Sequence, residues 1–317
     1  MPRLRSLKSK PQQVSSTWTE AMSQFLSFKR AQGRSDRTIY DYDRHITAFF
    51  TAYPDAWSNT NLKPSLPAYL SRPVMPGTYN LRLVYLRHFF DWCIMEDFLQ
   101  ANPTDGLTRR REEPRIVHIP IHILQDLLKQ PDNRTYSGLR DHAVILLTLD
   151  TGIRPKECLS LLPGDINLGA LEVHVRARNA KTRTARTLPI MQTTARAIRK
   201  VFNVRPEQWD GEVPIFCTWE AGCMKTETWS QRMNMYSKKI GFKVRPYDLR
   251  HSFALNFLRN GGNVFVLQRL MGHSTLDMTK RYLALTQEDI QKQHAKASPV
   301  NMLECGMSSR LGRVGGR

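Results

Sequence analysis

Seven residues in four short stretches have the types and spacing to do phosphate chemistry. Arg154 stands in LDTGIRPKECLSL and Lys181 in ARNAKTRTARTLPI. Tyr247, Arg250 and His251 stand in RPYDLRHSFALNFLRNGG, and His273 and Tyr282 in LMGHSTLDMTKRYL. A phosphodiester resists attack because its non-bridging oxygens are charged and the departing alkoxide is a poor leaving group. Catalysis therefore needs fixed cations on those oxygens, an acid for the leaving oxygen and a nucleophile. Arginine, lysine or histidine, and tyrosine can fill those roles.

Local sequence says how each would be held. Gly152 ends a periodic helical stretch and Pro155 suits the first turn of the next helix, so Arg154 is carried at a stiff helix start where the dipole also favours an anion. Arg250 occupies a similar helix start. Lys181 falls at the tip of an expected hairpin, where a long side chain can reach a minor groove or a scissile bond. Tyr282 follows His273 by nine residues (282 − 273), after the tight GHST turn, and neighbouring cations can make a phenol nucleophilic without a metal. Each residue alone has a plainer use: Arg154 can pair with Glu157, Lys181 can sit in solvent, and Tyr282 can pack in a core. The weight lies in the ordered combination.

The rest of the chain must position them. Its 317 residues are enough for two domains with separate cores. Lys and Arg number 47 against 28 Asp and Glu, a net charge of +19 that a polyanion such as nucleic acid would explain better than a merely solvated surface does. No apolar run is long enough to cross a membrane, and MPRLRSLKSKPQQ lacks the apolar stretch of a signal peptide. The expected location is the cytoplasm, on the nucleoid. The five cysteines (Cys93, Cys158, Cys217, Cys223 and Cys305) are scattered without a CxxC pair, so reduced thiols are expected rather than disulfides or a zinc finger. His118 and His122 are four apart, but Pro120 between them argues against a helical metal pair. No metal and no cofactor are expected.

Residues 1–14 read as a basic flexible arm whose Arg3, Arg5, Lys8 and Lys10 could touch phosphate or simply be solvated. Thr17-Trp-Thr-Glu20 fits a capping box opening a first helix that Gly33 stops. Ser35 opens a second, and a third runs from Tyr79 to about Phe98, with a proline-punctuated stretch over 61–77 between them. Arg37, Arg44, Lys63, Arg72, Arg82 and Arg87 fall largely on the polar sides, as suits helices lying along a duplex or an ordinary basic surface. An exposed linker is placed at 109–114, dividing a helical domain over 15–108 from a mixed one over 115–299. In the second domain LEVHVRA alternates like a strand, with RTLPI as its hairpin partner. Helices are expected at 121–130, 138–149, 193–203, 226–240, 249–260, 263–271, 276–284 and 287–295, and a disordered tail over 300–317. The fold class is mainly α with a small β-sheet (α+β).

In order and spacing, TGIRPKECLSL, KTRTARTLPI, DLRHSFA and LMGHSTLDMTKRY resemble the sequence boxes of the tyrosine recombinases, the phage-integrase family of DNA breaking and joining enzymes. The likeness covers about residues 114–295, and YNLRLVYLRHFFDWCIMEDFLQANP resembles that family's helical, SAM-like core-binding domain. The resemblance implies a site-specific DNA recombinase or integrase whose two domains clamp DNA. Arg154 and Arg250 would grip the scissile phosphate, Lys181 would be the acid for the departing 5′ oxygen, and Tyr282 would attack. His273 would orient the phosphate or share the proton handling, His251 would be a framework residue, and Glu157 would buttress the site. One position departs from the family pattern: Tyr247 stands where a histidine is usual. A phenol can donate to a phosphate oxygen but is a poor base at neutral pH, so Tyr247 is expected to position, with His273 or water taking the nucleophile's proton.

Tyr282 would then form a 3′-phosphotyrosyl link and free a 5′-hydroxyl, needing neither ATP nor metal. The resemblance further implies a homo-tetramer on two duplexes, with helix 287–295 docking on a neighbour, and it allows an accessory DNA-bending protein. The chain's size suits a simple integrase, a transposon recombinase or a Xer-type resolvase, and Tyr247 tilts the choice towards a mobile element. The alternatives are a type IB topoisomerase-like enzyme and a non-cleaving DNA-binding protein of the same fold.

Overall fold

The computed structural model describes residues 17–58, 61–112, 118–177, 184–280, 282, 291 and 294–300. The chain divides into two compact units, Met1–Glu113 and Pro114–Arg317.

The described part of the first unit is helical: α1 (Trp18–Ala31), α2 (Asp36–Ala52), α3 (Leu62–Leu70) and α4 (Pro76–Met95). The capping box at Thr17 forms as expected, with Thr17 accepting from the Glu20 N–H and Glu20 accepting from the Thr17 N–H. Phe25, Phe49, Phe89 and Phe90 are fully buried at the centre of this unit. Helix α3 lies within the proline-punctuated 61–77 stretch. Leu62, Leu66, Tyr69 and Leu70 share a buried face there despite Pro67 inside the helix.

Two details change the surface expected from sequence. Arg87 is turned onto the 104–107 turn: Nη2 donates to the carbonyls of Thr104 (3.1 Å) and Leu107 (2.6 Å), and Nε donates to Thr104 Oγ1. It holds a loop rather than facing outward. The described part of the stretch read as a linker, 109–112, is exposed but fastened to α4. Asn80 exchanges hydrogen bonds with the Arg110 backbone (2.9 and 2.8 Å) and donates to Glu112, while the Arg110 guanidinium lies 4.0 Å from the Tyr79 ring centre.

The second unit contains α5 (Ile121–Leu128), α6 (Tyr136–Thr151), α7 (Pro155–Leu159), β1 (Ile166–Asn167), β2 (Glu172–Val175), β3 (Arg186–Pro189), α8 (Gln192–Asn203), α9 (Thr226–Ile240), α10 (Pro246–Arg259), α11 (Val264–Met271) and α12 (Asp277–Lys280). The sheet is antiparallel in the order β1-β2-β3, with Val173 opposite Leu188 and Val175 opposite Arg186. The expected hairpin forms. The added strand β1 is two residues long, too short for an alternating pattern to show.

Helix α6 is central, packing on α8 and α10. Val144, Ile145 and Leu147 meet Val173, Leu188, Ile198, Trp229 and Leu249 in one buried cluster. A smaller cluster joins Phe253, Ala254 and Leu258 of α10 to Leu267 and Met271 of α11, and Tyr282 packs into it. No helix among the described residues is long and apolar enough to cross a membrane.

Gly152 closes α6 in the left-handed conformation, φ +63°, and a Cβ there would lie 2.3 Å from the Phe253 ring. Backbone strain and overpacking therefore act together. Gly152→Ala should lower unfolding stability by about 2 kcal/mol or more, read as a lower urea midpoint, whereas an unchanged midpoint would refute this account of the corner.

Candidate active site

Helix α11 ends at Met271, with Gly272 in the left-handed conformation (φ +61°) as its cap. The last carbonyls of a helix have no intrahelical partner and lie at its negative end. Here three arginines from three different segments supply the donors. Arg186 Nε donates to Leu270 O (2.9 Å), Arg250 Nη2 to Met271 O (2.7 Å) and Arg154 Nη2 to Gly272 O (2.8 Å). Arg250 Nη1 also donates to Gly152 O, which ties the α6 corner to α10.

Glu157 balances two of these cations. Its side chain is 1% exposed; Oε1 lies 3.0 Å from Arg154 Nη1, and Oε2 accepts from Arg186 Nη2 at 2.6 Å. Burial opposes ionisation of Glu157. The Arg186 hydrogen bond and the charges of Arg186 and Arg154 outweigh it and hold the carboxyl below the usual carboxylate range. The Arg250 guanidinium is pushed down to about 9, first by burial and then by the charge of Arg154, with Glu157 opposing; it is still a cation at neutral pH. Among the described residues, the cluster has three cations and one carboxylate, which pairs with two of them, so it carries a positive surplus suited to an anion.

His273 and Tyr282 complete the cluster. His273 Nε2 lies 3.1 Å from Arg250 Nη2, and Nδ1 lies 2.8 Å from Thr279 Oγ1 on α12. Tyr282 is 4% exposed. Its N–H donates to Thr279 O, and its hydroxyl lies 2.6 Å from His251 Nδ1.

Of the residues singled out from sequence, the structure thus brings together Arg154, Arg250, His273 and Tyr282. Tyr247 lies on the first turn of α10 and is 53% exposed. It lines a cavity of about 530 Å³ with Lys243, Arg245, Asp248 and His251. Lys181 and residues 283–290 lie outside the described residues, as do the 1–14 arm and residues 301–317. His118 and His122 are exposed, and only His122 lies on α5.

Two residues gain importance over the sequence reading. Arg186 was unremarkable among the arginines of its hairpin; the structure places it at the strand start opposite buried Val175. His251, read as framework, lies within hydrogen-bond distance of the Tyr282 hydroxyl.

A family model for the phage integrase family matches residues 121–289, more than half of the chain. The chain belongs to the phage integrase family. Its enzyme class is accordingly that of the tyrosine-type site-specific DNA recombinases. Tyrosine recombinase XerC of Myxococcus xanthus is 27% identical over 240 residues, covering 73% of this chain and 79% of XerC. Two solved structures share the fold. The Tn1549 transposon integrase in complex with a circular intermediate DNA superposes with a TM-score of 0.70 at 18% identity, covering 90% of this chain and 100% of that one. The lambda integrase tetramer bound to a Holliday junction gives 0.68 at 15% identity, covering 85% and 78%.

Within this family member, Glu157→Gln removes the charge that two buried arginines share, at a cost of about 3–5 kcal/mol. The folded carboxyl titrates below the unfolded one, so its contribution is complete above about pH 4.3 and is lost as pH falls through the lower folded value. Denaturant unfolding from pH 7 to pH 3 should show the wild-type advantage over Glu157→Gln shrinking with acid. A constant difference would contradict the assignment.

Proposed function

We propose that this recombinase holds one DNA phosphate between Arg154 and Arg250 and attacks it with Tyr282. The carrying observation is that these two guanidinium groups converge on adjacent carbonyls, Gly272 and Met271, while the Tyr282 hydroxyl is held by the residue next to Arg250. Each guanidinium has five N–H donors, more than the backbone contacts use. A phosphodiester would supply the anion that the cation surplus favours, and its non-bridging oxygens would become more fully stabilised as charge builds in the transition state.

The reaction conserves bond energy. The Tyr282 oxygen bonds to phosphorus, the P–O5′ bond breaks, and the products are a 3′-phosphotyrosyl link and a 5′-hydroxyl. Attack by a 5′-hydroxyl reverses the step on the same or a new partner. Lys181 is the proposed acid for the leaving oxygen: it belongs to the β2–β3 connection, and Arg186, at the start of β3, reaches the cluster. His273 positions Arg250 and the phosphate. Tyr247 is proposed as a hydrogen-bond donor to the DNA backbone.

At the level of assembly, double-stranded DNA is the substrate and four copies act on two sites. The lambda integrase tetramer on a Holliday junction supports that stoichiometry. The circular-intermediate complex of the Tn1549 integrase supports integration or excision of a mobile element as the role. A charge of +19 accords with extensive phosphate contact, and binding should weaken linearly on a log–log salt plot.

The test is incubation in EDTA with labelled nicked duplexes of random sequence, resolved on a denaturing gel. Wild type should give covalent adducts whose DNA reveals the target site, and Tyr282→Phe should give none. Tight binding without adducts would favour the non-cleaving alternative, and adducts from Tyr282→Phe would remove Tyr282 as nucleophile.

A further inference from the structure

Attack by Tyr282 requires an acceptor for its proton. Tyr247 is a poor one because a neutral phenol is a weak base. His273 is engaged on both ring nitrogens: Nε2 faces an arginine nitrogen that can only donate, and Nδ1 faces Thr279 Oγ1. His251 Nδ1, in contrast, lies 2.6 Å from the Tyr282 hydroxyl, a short hydrogen-bond distance.

We infer that His251 is the general base that takes the Tyr282 proton during cleavage and returns it during rejoining. This rests on Tyr282 being the nucleophile. With the ring proton on Nε2, Nδ1 accepts the hydroxyl hydrogen bond. As the Tyr282 oxygen bonds to phosphorus its proton passes to Nδ1, giving an imidazolium. The electron pair of the breaking P–O5′ bond leaves on the 5′ oxygen, which is protonated by a separate acid. In rejoining, the 5′-hydroxyl gives up its proton to that second group, the P–O bond to Tyr282 breaks, and His251 Nδ1 returns its proton to the phenolate. Protons and electrons balance over the cycle, and no metal or oxidant enters.

His251 and Arg250 are adjacent on α10, so one helix carries both the phosphate cation and the base. Arg250 is anchored to Gly152 O and Met271 O, and Tyr282 packs against Phe253, Ala254 and Leu258 of the same helix. The His251 and Tyr282 rings are 5.6 Å apart between centres and tilted by 44°, an arrangement held by packing as well as by the hydrogen bond. His251 is only half-buried and also borders the cavity beside Tyr247, so its imidazolium can be solvated. Among the described residues, the charged groups that border it include Lys243, Arg245 and Asp248 of that cavity and its neighbour Arg250; the Asp248 carboxylate accepts from the Arg245 N–H at 2.9 Å.

The test uses the full chain in single-turnover adduct formation, on the duplex that wild type captures and on the same duplex with sulfur replacing the bridging 5′ oxygen. His251→Asn keeps an acceptor near the Nδ1 position but cannot take the proton. It should bind DNA as wild type does yet form adducts on the order of 10²-fold more slowly or worse. Wild-type rate should rise with pH to a plateau, and the variant should lose that plateau. Because a thiolate leaves without an acid, the His251→Asn deficit should persist on the sulfur substrate, whereas a Lys181→Ala deficit should vanish. A wild-type rate for His251→Asn, or a deficit erased by sulfur, overturns the inference. Tyr282→Phe is run alongside: adducts from it would strike at the nucleophile assignment rather than at the base. Should His251→Asn unfold, the wild-type profile on the sulfur substrate decides, since Tyr282 then makes the only proton transfer; a rate flat from pH 5 to pH 9 overturns the inference.

Discussion

Three consecutive carbonyls at the end of α11 need donors, and three arginines far apart in sequence need somewhere to bring their charge; the site is the joint solution. Arg186 from the sheet, Arg250 from α10 and Arg154 from the α6–α7 corner each cap one carbonyl. A helix C-terminus attracts cations, but burying three together costs desolvation and mutual repulsion. Glu157 relieves part of that cost, and its place three residues after Arg154 on the short α7 lets it reach two of the three. What remains, among the described residues, is a positive surplus at the end of α11.

The same joint fixes where His273 and Tyr282 lie. Gly272 in its left-handed conformation lets the chain turn sharply into His273, and a Cβ there would approach the Arg186 guanidinium at 3.1 Å. The chain then passes through α12 to Tyr282, which is returned to α10 by apolar packing and by His251. The arginines and Tyr282 are thus registered through α10 and α11 together, and the apolar residues between the charged ones set the distances.

Much of this was legible in sequence because strong local signals carry it. Gly152 followed by Pro155 marks a helix end and a helix start, the glycine and histidine after Met271 mark a tight turn, and LEVHVRA and RTLPI alternate as strands do. The order of the four boxes pointed to the chemistry. The missing pieces depend on tertiary contact. Arg186 acquires meaning only when β3 is laid beside Glu157, and His251 only when Tyr282 folds back onto α10. Helix α3 was hidden by prolines that its buried face tolerates, and Arg87 looked like a surface cation until the 104–107 turn folded onto it.

The central claim is that Tyr282 becomes covalently joined to the phosphate held by the arginine cluster. The most direct measurement is mass spectrometry of the nuclease-trimmed, protease-digested adduct, locating the residue that carries the nucleotide. The account predicts the remnant on Tyr282. A remnant on Tyr247, the exposed phenol at the start of α10, would contradict it.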